Sequence, residues 1–352
     1  MRITFVLPFA SLAGGTRVVA DYAAELTARG HQVTVVSQPD RPAGPGFWAR
    51  LRGRKASSSQ VPTPLLDFLG PRHVILDRRR PVTNADLPDV DVVIATWWET
   101  AEWVAALSPA KGRKFQLLQD YEMFPHLPTN RVAASFHLPL RKMAVSAYIR
   151  DKMLDNHGVR DIAVLPNAVD SNRFHAPPRF KNATLRVGFL YAPEPRKNLG
   201  LALATVRAAR VCLPDLRVVS FGTSLPLPHH PLPPGAEYSR NPPQADIAAI
   251  YASCDLWLFT SHNEGFGLPI LEAMACRTPV LATRAGAAPD LIDGTNGLLL
   301  DPDPQAFAAA IVRFHVMGNA EWQGFSTAAW QTARAHRIGP ATDRLMSCLA
   351  TA

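Results

Sequence analysis

The chain has 352 residues, 37 Lys and Arg against 29 Asp and Glu, a net charge of +8 and a 47% apolar content. That length suits two domains better than one, with a core available to each, and no apolar run is long enough to span a bilayer. Cys212, Cys254, Cys276 and Cys348 have neither disulfide-framework nor metal-ligand spacing, so free thiols in a reducing compartment are expected.

The N-terminus carries no signal-peptide cleavage region and reads as a first core strand, about Arg2–Phe9, which suits a cytoplasmic protein. A loop holding Gly14 and Gly15 follows. Helical periodicity then runs from Thr16 to Ala28, with Val18, Val19, Tyr22, Ala23 and Leu26 on one face and Gly30 just past its end. His31–Val36 is a second strand. Strand, helix and parallel strand open a Rossmann-like sheet, in which ligands bind beyond the carboxyl ends of strands. This puts Gly14 and Gly15 at the mouth of a site, although an ordinary tight turn would use them as well. Their spacing is not Gly-x-Gly-x-x-Gly, so no nicotinamide cofactor is expected.

Pro42, Gly44, Pro45, Gly46 and Ser57–Ser59 mark a long insertion. Within it Phe47 and Trp48 precede Arg50, Arg52, Arg54 and Lys55, and Arg78–Arg80 follow. The Phe47–Lys55 loop suits peripheral contact with an anionic membrane or a phosphate-bearing acceptor, and equally suits a solvated loop. No nucleic-acid-binding module accompanies the charge, so nucleic acid is not an expected partner.

Strands are expected at Val90–Ala95 and Lys114–Leu118. Each ends in a polar and aromatic run, Thr96–Thr100 and Gln119–Phe124, placed to face a ligand; Trp98 and Trp103 would also fit a core. Met143–Tyr148 reads as a strand feeding a helix, and Phe174–Pro178 as a linker. The pattern restarts with a strand at Leu185–Tyr191, a helix from Leu199 to Val211 and a strand at Leu216–Phe221, ending at Gly222 and Thr223. Arg196 and Lys197 lie on the strand-to-helix loop, where they can neutralise an anion or stand as solvated helix-start charges. His229 and His230 have no acidic or cysteine neighbour. The Asp-x-Asp pairs Asp89/Asp91 and Asp301/Asp303 sit at a strand entrance and in a turn. Both are read as capping or turn acids, so metal-independent chemistry is expected.

The most informative run is Ser261–Met274. A short strand at Asp255–Phe259 leads into a loop with Gly265 and Gly267, and Pro269 occupies a favoured first helical position. Backbone N–H groups at such a loop and helix start suit an anion. Glu264 on the loop and Glu272 on the helix can grip the two ends of a ligand whose middle is a diphosphate. The bland reading is a solvated loop acid and a helix-dipole acid. Further strand and loop signals occupy Arg277–Thr283, Ala285–Ile292 and Asp293–Leu300.

This Glu-x7-Glu run and its continuation resemble the retaining glycosyltransferases of family 4, well over the last third of the chain and more loosely elsewhere. The resemblance implies a GT-B fold, two Rossmann-like α/β domains facing each other across a cleft. Their expected bounds are 1–178 (acceptor side) and 179–338 (nucleotide-sugar side), with 339–352 packing back on the first. Pro166–Asp170 is similar to the family's segment where the chain leaves the first domain. The resemblance further implies that Glu264 contacts the donor hexose and Glu272 the ribose. Gly14, Gly15, Thr223, Gly265, Phe266, Gly267 and Leu268 would line the donor, with Lys197, Arg196 and Asp120 beside the reacting groups. The family's usual histidine near Gln119 and Asp120 is absent, and its arginine five residues before Lys197 is an alanine, Ala192. The Trp97-Trp98 and Gln119–Glu122 runs are similar to the rhamnosyltransferase-like branch, which implies dTDP-rhamnose. A glycan or lipid-linked saccharide would be the acceptor, and no cofactor is expected. Rival readings are a nucleotide-sugar 2-epimerase of the same fold, and a catalytically silent partner subunit that binds nucleotide sugar. A phosphorylase-like enzyme would need a pyridoxal lysine, for which no pattern is present.

Overall fold

A computed structural model describes residues 1–10, 14–39 and 64–350; the Phe47–Lys55 loop lies outside the described residues. The chain forms two compact units. One comprises Met1–Ala144, Lys152–Val164 and Thr342–Ala352, the other Val145–Asp151 and Leu165–Ala341. After a first passage at Val145–Asp151, the chain passes into the second unit again at Leu165, ahead of the linker expected to end at Pro178. The reason is apolar burial: Leu165, Val169 and Phe174 are all buried, with Phe174 edge-on to Tyr251 at 6.1 Å.

In the first unit, strand β1 (Arg2–Leu7) leads to helix α1 (Gly14–Ala28) and then to β2 (Gln32–Ser37), β3 (His73–Ile75) and β4 (Val92–Ala95). Helix α2 (Trp98–Ala106), β5 (Arg113–Leu118), α3 (Thr129–Ser135), β6 (Arg141–Ala144), α4 (Ala147–His157, which begins in the second unit) and β7 (Ile162–Val164) follow. The seven strands are parallel in the order β3-β2-β1-β4-β5-β6-β7. Central strands of such a sheet are covered on both faces, which is why β1, β2 and β4 read as nearly continuous apolar runs. Gly14 and Gly15 open α1; they do not sit in a preceding loop as expected. Trp98 and Trp103 are core residues.

The second unit holds β8 (Arg186–Leu190), α5 (Leu199–Cys212), β9 (Arg217–Gly222), β10 (Glu237–Arg240), α6 (Ile247–Ser253) and β11 (Leu256–Phe259). It continues with α7 (Leu268–Ala275), β12 (Val280–Ala282), α8 (Ala288–Leu291), β13 (Gly297–Leu299), α9 (Pro304–Val316) and α10 (Asn319–Ala335). The last helix, α11 (Ile338–Ala350), begins here; from Thr342 it belongs to the first unit, where Leu345 and Leu349 are buried and Asp343 pairs with Arg29 at 2.5 Å. The six strands are parallel in the order β10-β9-β8-β11-β12-β13. The order reverses between β8 and β11, the position at which open α/β sheets leave a crevice for ligands.

Beneath that crevice the sheet is anchored by Asp255, which is wholly buried. It accepts from the backbone amides of Asn182 (3.0 Å) and Arg186 (2.9 Å) and pairs with Arg179 at 3.0 Å. Two glycines are required by close approach. A Cβ on Gly188 would lie 2.4 Å from the Trp257 ring, and one on Gly222 would lie 2.2 Å from the Tyr191 carbonyl oxygen. The second clash is with backbone and cannot be relieved by a rotamer change. Gly222→Ala is expected to lower unfolding stability by about 3 kcal/mol, measured by urea denaturation; an unchanged midpoint would show that β8 and β9 can separate at this end.

Candidate functional site

The loops after β8 and β11, neighbours at the strand-order reversal, meet through both backbone and side chains. The His262 amide donates to the Arg196 carbonyl at 2.8 Å, and Thr260 Oγ1 donates to the carbonyls of Lys197 (3.3 Å) and Asn198 (3.2 Å). Asn198 adopts a left-handed backbone (φ 49°) and its side chain caps α5 by accepting from Leu201. That turn points Arg196 and Lys197 toward the second loop. Glu264 is buried there and receives three donors: Lys197 Nζ at 2.5 Å, Arg196 Nη1 at 3.1 Å and Ser261 Oγ at 2.8 Å. Gly286 (φ 58°) allows this packing, since a Cβ on it would lie 2.9 Å from the Cβ of Glu264. Arg196 and Lys197 are thus partners of a carboxylate, Lys197 largely withdrawn from solvent and Arg196 with 40% of its side chain still exposed.

Gly267, with φ 100°, starts α7. The backbone amides of Gly265, Phe266, Gly267 and Leu268 donate to no protein acceptor among the described residues. The carbonyls of the same turn are occupied: Gly265 accepts from Ser146 Oγ (2.6 Å) and Phe266 from the Ala287 amide (2.8 Å). The turn is therefore held from behind while its amides remain available for an anion. Phe266 is a buried side chain and Leu268 half-buried, so what both present at this turn is backbone. Glu272, also buried, accepts from Tyr251 OH at 2.8 Å. Tyr251 is itself held edge-on against Trp257 at 4.4 Å and Phe221 at 5.7 Å. Thr223 lies exposed just past β9, and its carbonyl accepts from Arg240 at 3.5 Å.

Asp120, Gly14 and Gly15 belong to the first unit. A Cβ on Gly15 would come within 3.3 Å of Gln119 Nε2, so the start of α1 and the end of β5 line one place. Asp120 is half-buried and accepts from the Tyr121 amide at 2.9 Å. The expectation that all of Gln119–Phe124 faces a ligand fails at Glu122, which is fully buried and accepts from the Trp98 amide at 2.8 Å. Trp97 remains half-buried and stacks on Phe124 at 6.5 Å.

Sequence reasoning missed Ser261, Tyr251 and Ser146. Ser261 falls inside the informative run and its spacing to Glu264 is a legible turn signal; the other two approach from 21 and 119 residues away and leave no local trace. Asp303 caps α9 through the Ala306 amide (2.9 Å), Asp91 accepts from the Arg2 amide (2.7 Å) and Asp89 pairs with Lys111 (2.9 Å). Among the described residues no group of three or more His, Cys, Asp or Glu could hold a metal ion, and no helix is long and apolar enough to cross a membrane.

Two units, each built on a parallel α/β sheet, are the architecture of the GT-B fold. The family profiles agree: "Glycosyltransferase Family 4" matches residues 12–173 and "Glycosyl transferases group 1" matches residues 182–315. The chain belongs to this glycosyltransferase family. It is 46% identical over 71 residues to the D-inositol 3-phosphate glycosyltransferase of Corynebacterium kroppenstedtii, covering 20% of this chain and 16% of that protein. The GDP-mannose-dependent alpha-mannosyltransferase of Corynebacterium glutamicum is 30% identical over 213 residues, 54% of this chain and 49% of that protein. The chain thus spans under a fifth of the first relative's length and about half of the second's. In fold it matches the Anabaena protein HepE, solved in complex with UDP, with a TM-score of 0.78, 18% identity and 100% of both chains covered. Sucrose-phosphate synthase from Thermosynechococcus elongatus matches with a TM-score of 0.73 and 15% identity over 100% of this chain and 98% of that one.

Glu122 provides a test of the first unit. Burial pushes its pKa well above the usual carboxylate value, and the charges of Asp120 and Glu99 add to the rise. The folded state then holds the proton more tightly than the unfolded chain. The resulting stability is complete below about pH 4.5 and is lost as pH climbs through the native pKa, at no more than about 1.4 kcal/mol per pH unit. Glu122→Gln, which keeps the acceptor for Trp98 without the ionisable proton, is expected to unfold like the parent at pH 4 and to be the more stable protein at pH 8. Denaturant titrations at both pH values check this; parallel pH profiles would mean Glu122 reaches solvent.

Proposed function

We propose that the protein transfers a sugar from a nucleoside-diphosphate sugar to a glycan or lipid-linked saccharide, without a metal and with the anomeric configuration retained. The observation that carries this is Glu264, held between Lys197 and Arg196 beside the free amides of Gly265–Leu268. A donor's diphosphate suits those amides and the two cations. Glu264 then suits the hexose hydroxyls, and Glu272, steadied by Tyr251, the ribose hydroxyls. In the reaction the bond from the anomeric carbon to the leaving phosphate breaks and the acceptor oxygen bonds that carbon on the same face. The acceptor's proton passes to the leaving phosphate. Lys197 and Arg196 offset the charge that builds on the departing nucleotide, and positioning supplies the remainder. Asp120, Gly14 and Gly15 are proposed as the substrate-contacting residues of the first unit.

For the donor, the C. glutamicum relative is named for GDP-mannose and the Anabaena structures contain UDP or UDP-glucose. These make GDP- and UDP-sugars the donors to test first. The dTDP-rhamnose reading drew on the Trp97-Trp98 and Gln119–Glu122 runs, of which Trp98 and Glu122 are buried while Trp97, Gln119, Asp120 and Tyr121 are half-buried; a dTDP-sugar is the next donor to test. Relatives named as transferases favour transfer over 2-epimerisation.

The paired carboxylate separates binding from turnover. In the unliganded protein Glu264 occupies both cations, so a diphosphate must compete with it. Glu264→Gln is expected to bind free UDP or GDP about three- to tenfold more tightly, the equivalent of roughly 1 kcal/mol of released charge pairing. Sugar transfer should fall about 100-fold or more. Glu272→Ala is expected to weaken the same nucleotide about tenfold, the worth of a charge-assisted hydrogen bond pair. Calorimetry with and without EDTA measures the binding. Failure of the parent protein to bind any of UDP, GDP, ADP and dTDP would refute the nucleotide site. EDTA-sensitive binding would refute its metal independence, and product with an epimerised donor and no transfer would favour the isomerase.

A further inference from the structure

Among the described residues three that are not glycine have left-handed backbones: Asn198 (φ 49°), Asn241 (φ 46°) and Arg277 (φ 61°). Asparagine enters this region readily. For arginine it crowds the Cβ against a carbonyl oxygen with no compensating local hydrogen bond. Arg277 directly follows Cys276, the C-cap of α7, where glycine is the common choice. A strained residue persists where its side chain contributes something glycine could not.

The side chain of Arg277 is buried and pairs with no acidic group among the described residues. Its guanidinium lies 4.6 Å from the centroid of the Trp330 ring, and Arg334 covers the same ring at 5.2 Å. Its Nε donates to the Ala176 carbonyl at 3.1 Å, and its own carbonyl accepts from Ser326 Oγ at 2.8 Å. These partners have one thing in common. Ala176 lies on the segment that enters the second unit after Val164, while Ser326 and Trp330 are on α10, which leads to the exit at Ala341. The two segments also meet each other, because the Val169 amide donates to the His336 carbonyl at 2.9 Å and Val169 bridges Arg337. At the opposite end of α7, a helix of eight residues and so about 12 Å long, stand the free amides. Glu272 lies between the two ends.

We propose that Arg277 is a positioning residue that clasps the nucleotide-site helix α7 to the entry and exit segments of the second unit, so that nucleotide binding stabilises those segments. The inference rests on the reading of α7 as part of a nucleotide site. A glycine at 277 would relieve the backbone and leave the helix capped, but would sever the connection.

Amide hydrogen exchange on the full chain tests this, with and without saturating UDP or GDP, in the parent, Arg277→Gly and Trp330→Leu. In the parent, nucleotide should slow exchange over 264–272 and also over 165–178 and 324–337. Both variants should keep the slowing over 264–272 and lose about fivefold or more of it in the entry and exit segments. If both variants protect those segments as the parent does, Arg277 is a cap only and the proposal fails. If the parent protects 264–272 alone, the coupling fails while the nucleotide site stands. If neither nucleotide protects 264–272, the site reading falls and the proposal with it. Trp330→Leu leaves the 277 backbone untouched and decides the matter should Arg277→Gly not fold.

Discussion

A carboxylate withdrawn from water must be surrounded by donors, and the second unit is organised around meeting that requirement for Glu264. Burial of an unpaired carboxylate costs several kcal/mol, and here Lys197, Arg196 and Ser261 supply the compensation. Satisfying it dictates much of the local backbone. Asn198 takes a left-handed turn to aim the two cations, Thr260 ties the two loops together, and Gly286 leaves room for the Glu264 Cβ. The same arrangement stores function. Under the proposed function, cations already paired by a carboxylate are held in place for the donor's phosphate, so little reorganisation is needed when it arrives.

The first unit solves a different problem. Its sheet carries polar groups in the interior: Gln116 and Glu122 are fully buried, and both amide atoms of Gln116, Oε1 of Glu122 and Nε1 of Trp98 have no hydrogen-bond partner among the described residues. Burial pushes the Glu122 pKa well above the usual carboxylate range, and its carboxyl accepts from the amide at the start of α2. The loop after β5 is thereby pinned at Glu122, with Gln119 and Asp120 left half-buried beside the start of α1. A polar run at a strand end is thus divided, with Glu122 turned inward and Gln119 and Asp120 half-buried.

Much of the architecture was legible because period and punctuation are local properties. The β1–α1–β2 unit, the strand before Glu264, the proline at the start of α7 and the Glu-x7-Glu spacing all follow from residues within one turn or strand of each other. Gly14 and Gly15 read as loop because paired glycines are poor helix formers, yet they open α1, where a Cβ on Gly15 would lie 3.3 Å from Gln119. Trp98, Trp103 and Glu122 were ambiguous for a similar reason: an aromatic or acid at a strand end faces outward or inward according to the packing of the next helix.

What the sequence alone determined, then, is the succession of parallel α/β units and the identity of the two acids, since hydrophobic period, glycine and proline placement and short spacing are written locally. Only the tertiary structure decided which charges meet and where the units divide. Lys197 reaches Glu264 across 67 residues, Arg277 reaches Ala176 across 101, and Leu165–Phe174 joins the second unit by burying its apolar side chains there. Such contacts depend on strand order, which brings distant loops to one sheet end and leaves no periodic mark on the chain.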